Sequence, residues 1–182
     1  MGYMALKIDL DKAYDKLEWN FIIDMMIRAN LPEDLVDIIM SCVSTVSMEI
    51  LLNGEALDPI YPLRGIRQSD PLSPYLFILC MEFLGQLIQE KCNAKLWQLV
   101  KVSQSGPGFS HMFFADDLVL FARADATNCS MIRDVLDDFC NLSRQTASEA
   151  KSRVFFSPNV NRDSRESFFD ILGFRSTPSF GK

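Results

Sequence analysis

Alternation between apolar and polar positions divides the first third of the chain into a strand and two helices. The apolar run at Tyr3–Leu10 predicts a buried strand, whereas apolar residues spaced three and four apart after Glu18 predict a helix. Asp15 and Glu18 have the spacing of a capping box at the start of that helix. Pro32 is expected to end it and, with the acidic residues that follow, to open a second helix reaching about Val43.

The middle of the chain predicts a hairpin, a loop and a long helix. Apolar segments at 48–52 and 56–60 flank Asn53-Gly54, a dipeptide favoured in two-residue hairpin turns. A loop at 61–71 follows, and an apolar-rich stretch over about 73–92 predicts a long helix. Polar residues interrupt that stretch too often for a membrane span, so a buried amphipathic helix is expected.

A pair of aspartates separates two short apolar strands in the second half. His111–Ala115 and Leu118–Ala122 are the predicted strands, with Asp116-Asp117 as the whole of the tight link. A helix over about 128–142 and a strand at 153–157 follow, and the last twenty residues show no firm periodicity. This order of elements predicts one domain of α+β type.

Composition and charge narrow the class of protein. The 182 residues are 48% apolar and 23% charged, which fits one globular domain, or a piece of a larger one, and excludes wholesale disorder. The net charge is −6, and the first sixty residues carry four basic and eleven acidic side chains, a net of −7. Such a balance counts against a free-standing nucleic-acid binder. Five cysteines without a C-x-x-C pair and the absence of a signal peptide indicate a reduced, intracellular protein without a membrane partner.

Three aspartates form the candidate chemical site. Asp116 and Asp117 are adjacent between apolar strands, so their mutual repulsion requires a cation or bulk water. Asp9, at the end of another strand, would complete a set of oxygen ligands suited to Mg²⁺. Two such ions can activate a hydroxyl and stabilise a leaving oxygen in phosphoryl transfer. A polar turn without any metal explains the Asp-Asp pair as well.

Motif order and spacing point to one family. Residues 5–15 read ALKIDLDKAYD, residues 64–77 read RGIRQSDPLSPYLF, residues 110–121 read SHMFFADDLVLF, and Lys151 lies within 143–157. In this order they resemble motifs A, B, C and D of the reverse transcriptases of plant non-LTR (LINE-type) retrotransposons. The resemblance covers essentially the whole chain.

The resemblance implies a polymerase palm, an antiparallel sheet packed on helices, with part of the fingers and the active site on the open face of the sheet. It implies that Asp9 and Asp116 bind a pair of Mg²⁺ ions, which Mn²⁺ can replace, with Asp117 as third carboxylate. The backbone carbonyl of Leu10 should also face the metal. The implied reaction is the addition of dNTPs to the 3′-OH of a DNA primer on an RNA template.

Three further residues take roles from the same resemblance. Tyr14 matches the aromatic residue that excludes the sugar 2′-hydroxyl, although a packed aromatic at a strand–helix junction is the alternative. Gln68 matches the motif B residue near the incoming nucleotide and template. Lys151 matches the motif D lysine that approaches the triphosphate, and an exposed surface lysine explains it nearly as well.

Departures from the family pattern limit the expected activity. Ser69 stands where the family usually has glycine, and the family's upstream fingers motifs and thumb would lie outside the chain. We therefore expect a partial domain, truncated at both ends, with weak or no activity alone. A non-catalytic remnant, inert or binding RNA or a protein, is the alternative. A haloacid-dehalogenase-type phosphatase does not fit the D-x-D at Asp9 and Asp11. That family has Thr or Val two residues beyond the second Asp, and this chain has Ala13 there.

Overall fold

The computed structural model describes residues 2–101, 103, 105–114 and 116–177, which form two compact units. One unit comprises the chain up to Ala13 and from Met81 onward, and the other comprises Tyr14–Cys80. The helices and strands follow in the order β1 (Tyr3–Asp9), α1 (Ala13–Lys16), α2 (Trp19–Arg28), α3 (Glu33–Ser44), β2 (Leu51–Leu52), β3 (Glu55–Ala56), α4 (Ser73–Asn93), β4 (Val100–Lys101), β5 (Gly108–Phe109), β6 (His111–Phe114), β7 (Asp117–Arg123), α5 (Ala126–Ser143), β8 (Arg153–Phe156), α6 (Arg162–Leu172) and β9 (Arg175–Ser176).

A five-stranded sheet in the order β6-β7-β1-β8-β9 organises the first unit. Its neighbours pair antiparallel except β8 and β9, which are parallel. The central strand is β1, the apolar run predicted from the sequence, and it is hydrogen-bonded on both sides. The mixed helix-and-sheet class and the antiparallel sheet packed on helices are thus confirmed.

The two faces of this sheet differ in chemistry because side chains alternate along each strand. Met4, Leu6 and Ile8 of β1 lie opposite Ala122, Leu120 and Leu118 of β7, and all six are buried. Helix α5 covers this face, where Cys129 Sγ contacts Met4 Sδ at 3.7 Å. The opposite face carries the remaining residues of the same strands, several of them charged and partly exposed, and is called the open face below.

Helices and a small hairpin form the second unit. Helix α2 packs against α3 and buries Phe21, Ile22, Met25 and Met26. Strands β2 and β3 form the predicted hairpin, with only two residues of regular strand on each side. Asn53 and Gly54 have φ values of 54° and 90°, as a two-residue turn of the predicted kind requires.

One expectation about a helix end and one about the last twenty residues were wrong. Asp15 does not cap α2: it lies inside α1, and Glu18 occupies the N-cap. The last twenty residues were expected to lack periodicity, yet α6 begins after Asn161, whose side chain accepts a hydrogen bond from Ser164 N–H, and ends at Gly173 with φ 72°. The apolar residues of α6 are confined to its last two turns, which leaves too short a pattern to detect.

Candidate active site

Asp9 and Asp117 lie directly opposite each other at the adjoining ends of β1 and β7. Directly opposed residues of an antiparallel pair project to the same face, here the open face. The carboxylates are partly exposed to solvent. The predicted placement of an aspartate at the end of a buried strand is therefore confirmed, and a second carboxylate accompanies it.

Asp116 is exposed and lies in the turn that precedes β7. Asp117 is not part of that turn, as expected from the sequence, but the first residue of β7, paired with Phe114 of β6 as well as with Asp9. Ala115, predicted to end the first strand of this hairpin, lies outside the described residues. Asp117 belongs to β7 because the apolar residues that follow it pair with β1, and this pairing extends to Asp117 opposite Asp9.

Lys7 lies on the same open face, two residues before Asp9. Its ammonium nitrogen is 2.8 Å from Asp117 Oδ1. The pKa of Lys7 is raised above its ordinary value, first by this hydrogen bond and further by the negative charges of Asp117, Asp9 and Asp116, although partial burial opposes the shift. Sequence reasoning missed Lys7, and its two-residue spacing from Asp9 on a predicted strand was the available signal.

The segment around Lys151 is fastened to Asp9 by three contacts. Ser148 N–H donates to the Asp9 carbonyl at 2.8 Å, and Asp9 N–H donates to Ser152 Oγ at 3.1 Å. The Lys151 ammonium lies 3.4 Å from Asp9 Oδ1. Leu10 is buried and forms a bridge with Ala147 of the same segment. The segment therefore holds Asp9 through its backbone as well as through charge, and Ser148 and Ser152 went unnoticed in the sequence.

The donor chemistry at this place suits a divalent cation. Carboxylate oxygens are the ligands that Mg²⁺ prefers, and the ammonium groups of Lys7 and Lys151 already balance part of the negative charge of Asp9 and Asp117. Within the described ranges, no three acidic, histidine or cysteine side chains converge as a ready-made ligand set. The opposed carboxylates of Asp9 and Asp117 thus fit a divalent cation by the chemistry of their oxygens, with the two lysines as counter-charges.

An aromatic side chain accompanies the carboxylates. Phe114 pairs with Asp117 across β6 and β7, so it projects to the open face, and it is 81% exposed. An exposed aromatic ring offers a stacking surface for a nucleic-acid base. Sequence reasoning did not single out Phe114, because an apolar strand residue is ordinarily assigned to the core.

Tyr14 and Gln68, predicted to contact the nucleotide, belong to the other unit, Tyr14–Cys80. The Tyr14 ring stacks on Phe77 with centroids 4.8 Å apart and an interplanar angle of 12°. Gln68 is exposed in a turn, as is Ser69. Ser69 is not among the positive-φ residues of the described chain, so a glycine there is not required for backbone conformation.

Gly65 is the glycine of this loop that the backbone does require. Its φ is 84°, and a Cβ atom built on it would lie 2.6 Å from the Asp15 carbonyl oxygen. Gly65 N–H donates to the Leu17 carbonyl at 2.8 Å, and the Trp19 indole N–H donates to the Gly65 carbonyl at 2.8 Å. This close approach ties the predicted motif B loop to the start of α2.

His111 lies in β6, an edge strand of the sheet. Its Nδ1 is 3.0 Å from Ser110 Oγ, and its ring centroid is 4.5 Å from that of Phe113. Burial lowers the pKa of His111, and the charge of Glu82 opposes that shift. The residue is part of the packed side of the strand.

The fold with its open-face carboxylates is of palm type, the architecture of nucleic-acid polymerases. A family model described as Reverse transcriptase (RNA-dependent DNA polymerase) matches residues 2–176. The chain therefore belongs to the reverse transcriptase family, as its motifs indicated.

Curated relatives include retrotransposon proteins and one plant protein. The chain is 30% identical over 139 residues to the Pol polyprotein of the type-1 retrotransposable element R2 of Popillia japonica, which covers 72% of this chain and 22% of that protein. It is 32% identical over 120 residues to the R2DM Pol polyprotein of Drosophila melanogaster, covering 66% and 10%. An uncharacterized mitochondrial protein of Arabidopsis thaliana, AtMg01250, is 43% identical over 67 residues, covering 37% and 55%. The chain thus spans from about a tenth to about half of these relatives.

Solved structures of telomerase share the fold. Apo telomerase from Candida tropicalis, truncated from its C-terminal domain, superposes with a TM-score of 0.66 at 12% identity, over 88% of this chain and 32% of that one. Telomerase from Candida albicans in complex with a telomeric RNA fragment gives 0.61 at 15% identity, over 88% and 27%. At this level of identity the likeness concerns the fold alone. None of the helices among the described residues combines the length and apolar character needed to cross a bilayer.

Proposed function

We propose that this chain carries the catalytic palm of an RNA-directed DNA polymerase from a plant non-LTR, LINE-type retrotransposon, acting inside the cell. The reaction is the addition of dNTPs to a DNA primer 3′-OH on an RNA template. The observation that carries the proposal is the cross-strand pair of Asp9 and Asp117, which shares the open face with Lys7 and adjoins the Asp116 turn. Motif A is assigned to 5–15, B to 64–77, C to 110–121 and D to about 143–157.

Asp9, Asp116 and Asp117 are the proposed ligands of two Mg²⁺ ions, with the Leu10 carbonyl as a further oxygen donor and Mn²⁺ as a substitute metal. Bound ions of this kind lower the pKa of the primer hydroxyl and stabilise the leaving pyrophosphate. The protein's contribution is to hold the Asp9 and Asp117 carboxylates at fixed places on paired strands, which costs no reorganisation during the reaction.

Two lysines, Lys7 and Lys151, are the proposed positive charges of the site. Lys151 is the proposed cation at the triphosphate, and its exposed side chain, anchored near Asp9, is free to turn toward a bound phosphate. Lys7 relieves the mutual repulsion of the carboxylates until a metal replaces part of its role. Phe114 offers a stacking surface to a base of the primer–template duplex.

Selection of the sugar is assigned to Tyr14, with Gln68 near the incoming nucleotide and template. The stacked contact with Phe77 restrains the Tyr14 ring, which a steric barrier against a 2′-hydroxyl requires. Replacement Tyr14→Ala is expected to increase incorporation of rNTPs relative to dNTPs, and Phe77→Leu to do so more weakly. Equal discrimination in all three proteins would remove Tyr14 from this role.

Metal binding and primer extension by the purified 182-residue chain test the proposal together. We expect the chain to bind Mn²⁺, which is measured by the relaxation rate of water protons. We also expect weak extension of a DNA primer on an RNA template. Asp116→Asn should lose both, whereas Asp138→Asn, an exposed aspartate of α5, should lose neither. Circular dichroism establishes that each variant is folded.

The outcomes separate the polymerase from its alternative. Extension that is robust without other segments would show that the palm alone suffices. A folded chain that neither binds Mn²⁺ nor extends a primer would contradict the proposal and favour a non-catalytic remnant. Salt-sensitive RNA binding by such a chain would then distinguish a binding module from an inert domain.

A further inference from the structure

One stretch of the second unit is acidic without any basic residue. Residues 29–63 contain six Asp and Glu side chains and no Lys, Arg or His. Three of the acids, Glu49, Glu55 and Asp58, belong to the β2–β3 hairpin and its flanks and are exposed. Unlike the open face around Lys7 and Lys151, this stretch has no positive charge of its own to balance them.

The same stretch exposes large apolar side chains. Of the 21 large apolar residues that the described chain exposes, eight lie within 48–63, which we call the acidic apolar surface. Leu63 is 86% exposed, Leu51 70% and Tyr61 66%. Single exposed apolar residues are ordinary, but a contiguous group on a short segment marks an interaction site.

Charge and apolarity together select the class of partner. A nucleic acid is a polyanion and is repelled by a surface that carries only acids. The anionic surface of a membrane is repelled for the same reason. A protein segment that combines Lys or Arg with apolar residues complements both properties. We propose that the acidic apolar surface binds a basic, apolar segment of a separate polypeptide.

The backbone of the hairpin indicates how such a segment binds. Among the residues that the structure describes, strands β2 and β3 pair only with each other, and the pairing continues through a bridge between Met48 and Ile60. Two-stranded sheets of this kind leave unpaired strand edges, to which an extended peptide can add as a further strand. Successive side chains of the added strand point to opposite faces, so they lie in turn beside Leu51 or Leu52 and beside the neighbouring acids.

A cavity adjoins the hairpin and supplies a place for an anchoring side chain. Its volume is about 360 Å³, and Val43, Val46, Met48, Ile60 and Leu63 line its apolar side. Its polar side carries Arg64 and Arg67, whose charges are paired with Glu18 and Asp70. A partner side chain seated there covers apolar surface that the hairpin leaves open to water. The inference uses no residue of the carboxylate site, and residues of motif B line the other side of the cavity.

Fluorescence anisotropy with a labelled peptide that alternates Lys and Leu tests the proposal directly. We expect binding by the full chain that weakens with added salt. The triple variant Glu49→Lys, Glu55→Lys, Asp58→Lys should weaken it more than about tenfold, since each exposed ion pair contributes up to ~1 kcal/mol. The double variant Leu51→Ser, Leu52→Ser should weaken it similarly.

Matched controls and rival occupants decide the result. Charge reversal of Asp134 and Asp138 and the double variant Leu96→Ser, Leu142→Ser change exposed residues elsewhere, and should leave binding unchanged. Equal binding of a Glu–Leu peptide, or unchanged binding by the triple variant, would overturn the proposal. So would hairpin-dependent binding of single-stranded RNA or phosphatidylcholine vesicles, or a dimer in sedimentation that the Leu51/Leu52 variant abolishes.

Discussion

Lys7 and Asp117 belong to adjacent strands, and the Lys7 ammonium contacts the Asp117 carboxylate at 2.8 Å on the open face of the sheet. The same ammonium is within the electrostatic influence of Asp9 and Asp116. One cation of the protein itself therefore stands where the proposed metal ions would bind. A lysine at this place has two opposed effects, since it relieves repulsion without metal and competes with metal when it is present.

Replacement of Lys7 by glutamine is expected to raise the affinity for Mn²⁺ by roughly two- to fivefold, the change that corresponds to ~0.5–1 kcal/mol for an exposed ion pair. Isothermal titration of Mn²⁺ into the folded variant measures it. Lys101→Gln, an exposed lysine of β4, serves as the control and should bind Mn²⁺ as the parent does. Unchanged or weaker affinity in Lys7→Gln would show that Lys7 does not compete with the metal.

Replacement Ser152→Ala is expected to destabilise the fold by about 1–2 kcal/mol, because the part-buried Asp9 N–H would lose its acceptor, the hydroxyl of the fully buried Ser152. Ser157 offers a matched control, since its Oγ accepts from Tyr3 N–H at 2.9 Å near solvent. Ser157→Ala should cost about 0.5 kcal/mol or less, as water can replace the hydroxyl. Urea unfolding of both alanine variants compares the two, and equal costs would contradict the explanation.

Alanine at Gly65 is expected to cost more stability than alanine at Gly54. Both glycines have positive φ, 84° and 90°, so each variant bears a conformational cost of about 1 kcal/mol. Only at Gly65 does the new Cβ also meet backbone, at 2.6 Å from the Asp15 carbonyl oxygen, whereas nothing lies within 4 Å of it at Gly54. In thermal unfolding, Gly65→Ala should have a lower midpoint temperature than Gly54→Ala. The reverse order would contradict the close approach at Gly65.

The single histidine is expected to make stability depend on pH in the mildly acidic range. Burial lowers the pKa of His111 in the folded protein. Above its ordinary pKa of 6.5 both states are neutral, and below it the unfolded state takes up the proton more readily. Stability should therefore fall as the pH falls below about 6.5. Urea titrations from about pH 7.5 to 5.5 should show this slope in the parent and lose it in His111→Gln.

The sequence predicted those parts of the fold whose signals are local. Strand β1 is a continuous apolar run, and the β2–β3 turn follows from Asn53-Gly54. Helix α6 was missed because its apolar residues occupy only its last two turns. The capping role of Asp15 was wrong because α1 includes that residue, a local competition that spacing alone does not reveal.

The residues of the candidate site also divide into those that the sequence indicates and those that only the structure brings to the site. Asp9, Asp116 and Asp117 could be nominated from the order of the motifs, but Lys7 and Ser152 could not. Lys7 matters because the β1–β7 register brings Asp117 beside it, and Ser152 because a distant segment returns to β1. Register and chain return are set by the packing of the whole sheet. The roles of Tyr14 and Gln68 stay predictions.

The central position of β1 gives the carboxylates unequal freedom. Asp9 ends a strand that is paired along both edges, so its backbone can shift only if the sheet opens, and amide exchange at Leu6 and Ile8 should be as slow as unfolding itself. Asp116 lies in a turn, where small backbone rotations disturb no ladder. Asp9 thus keeps its position while Asp116 can move, so the distance between their carboxylate oxygens can change without any cost in the core.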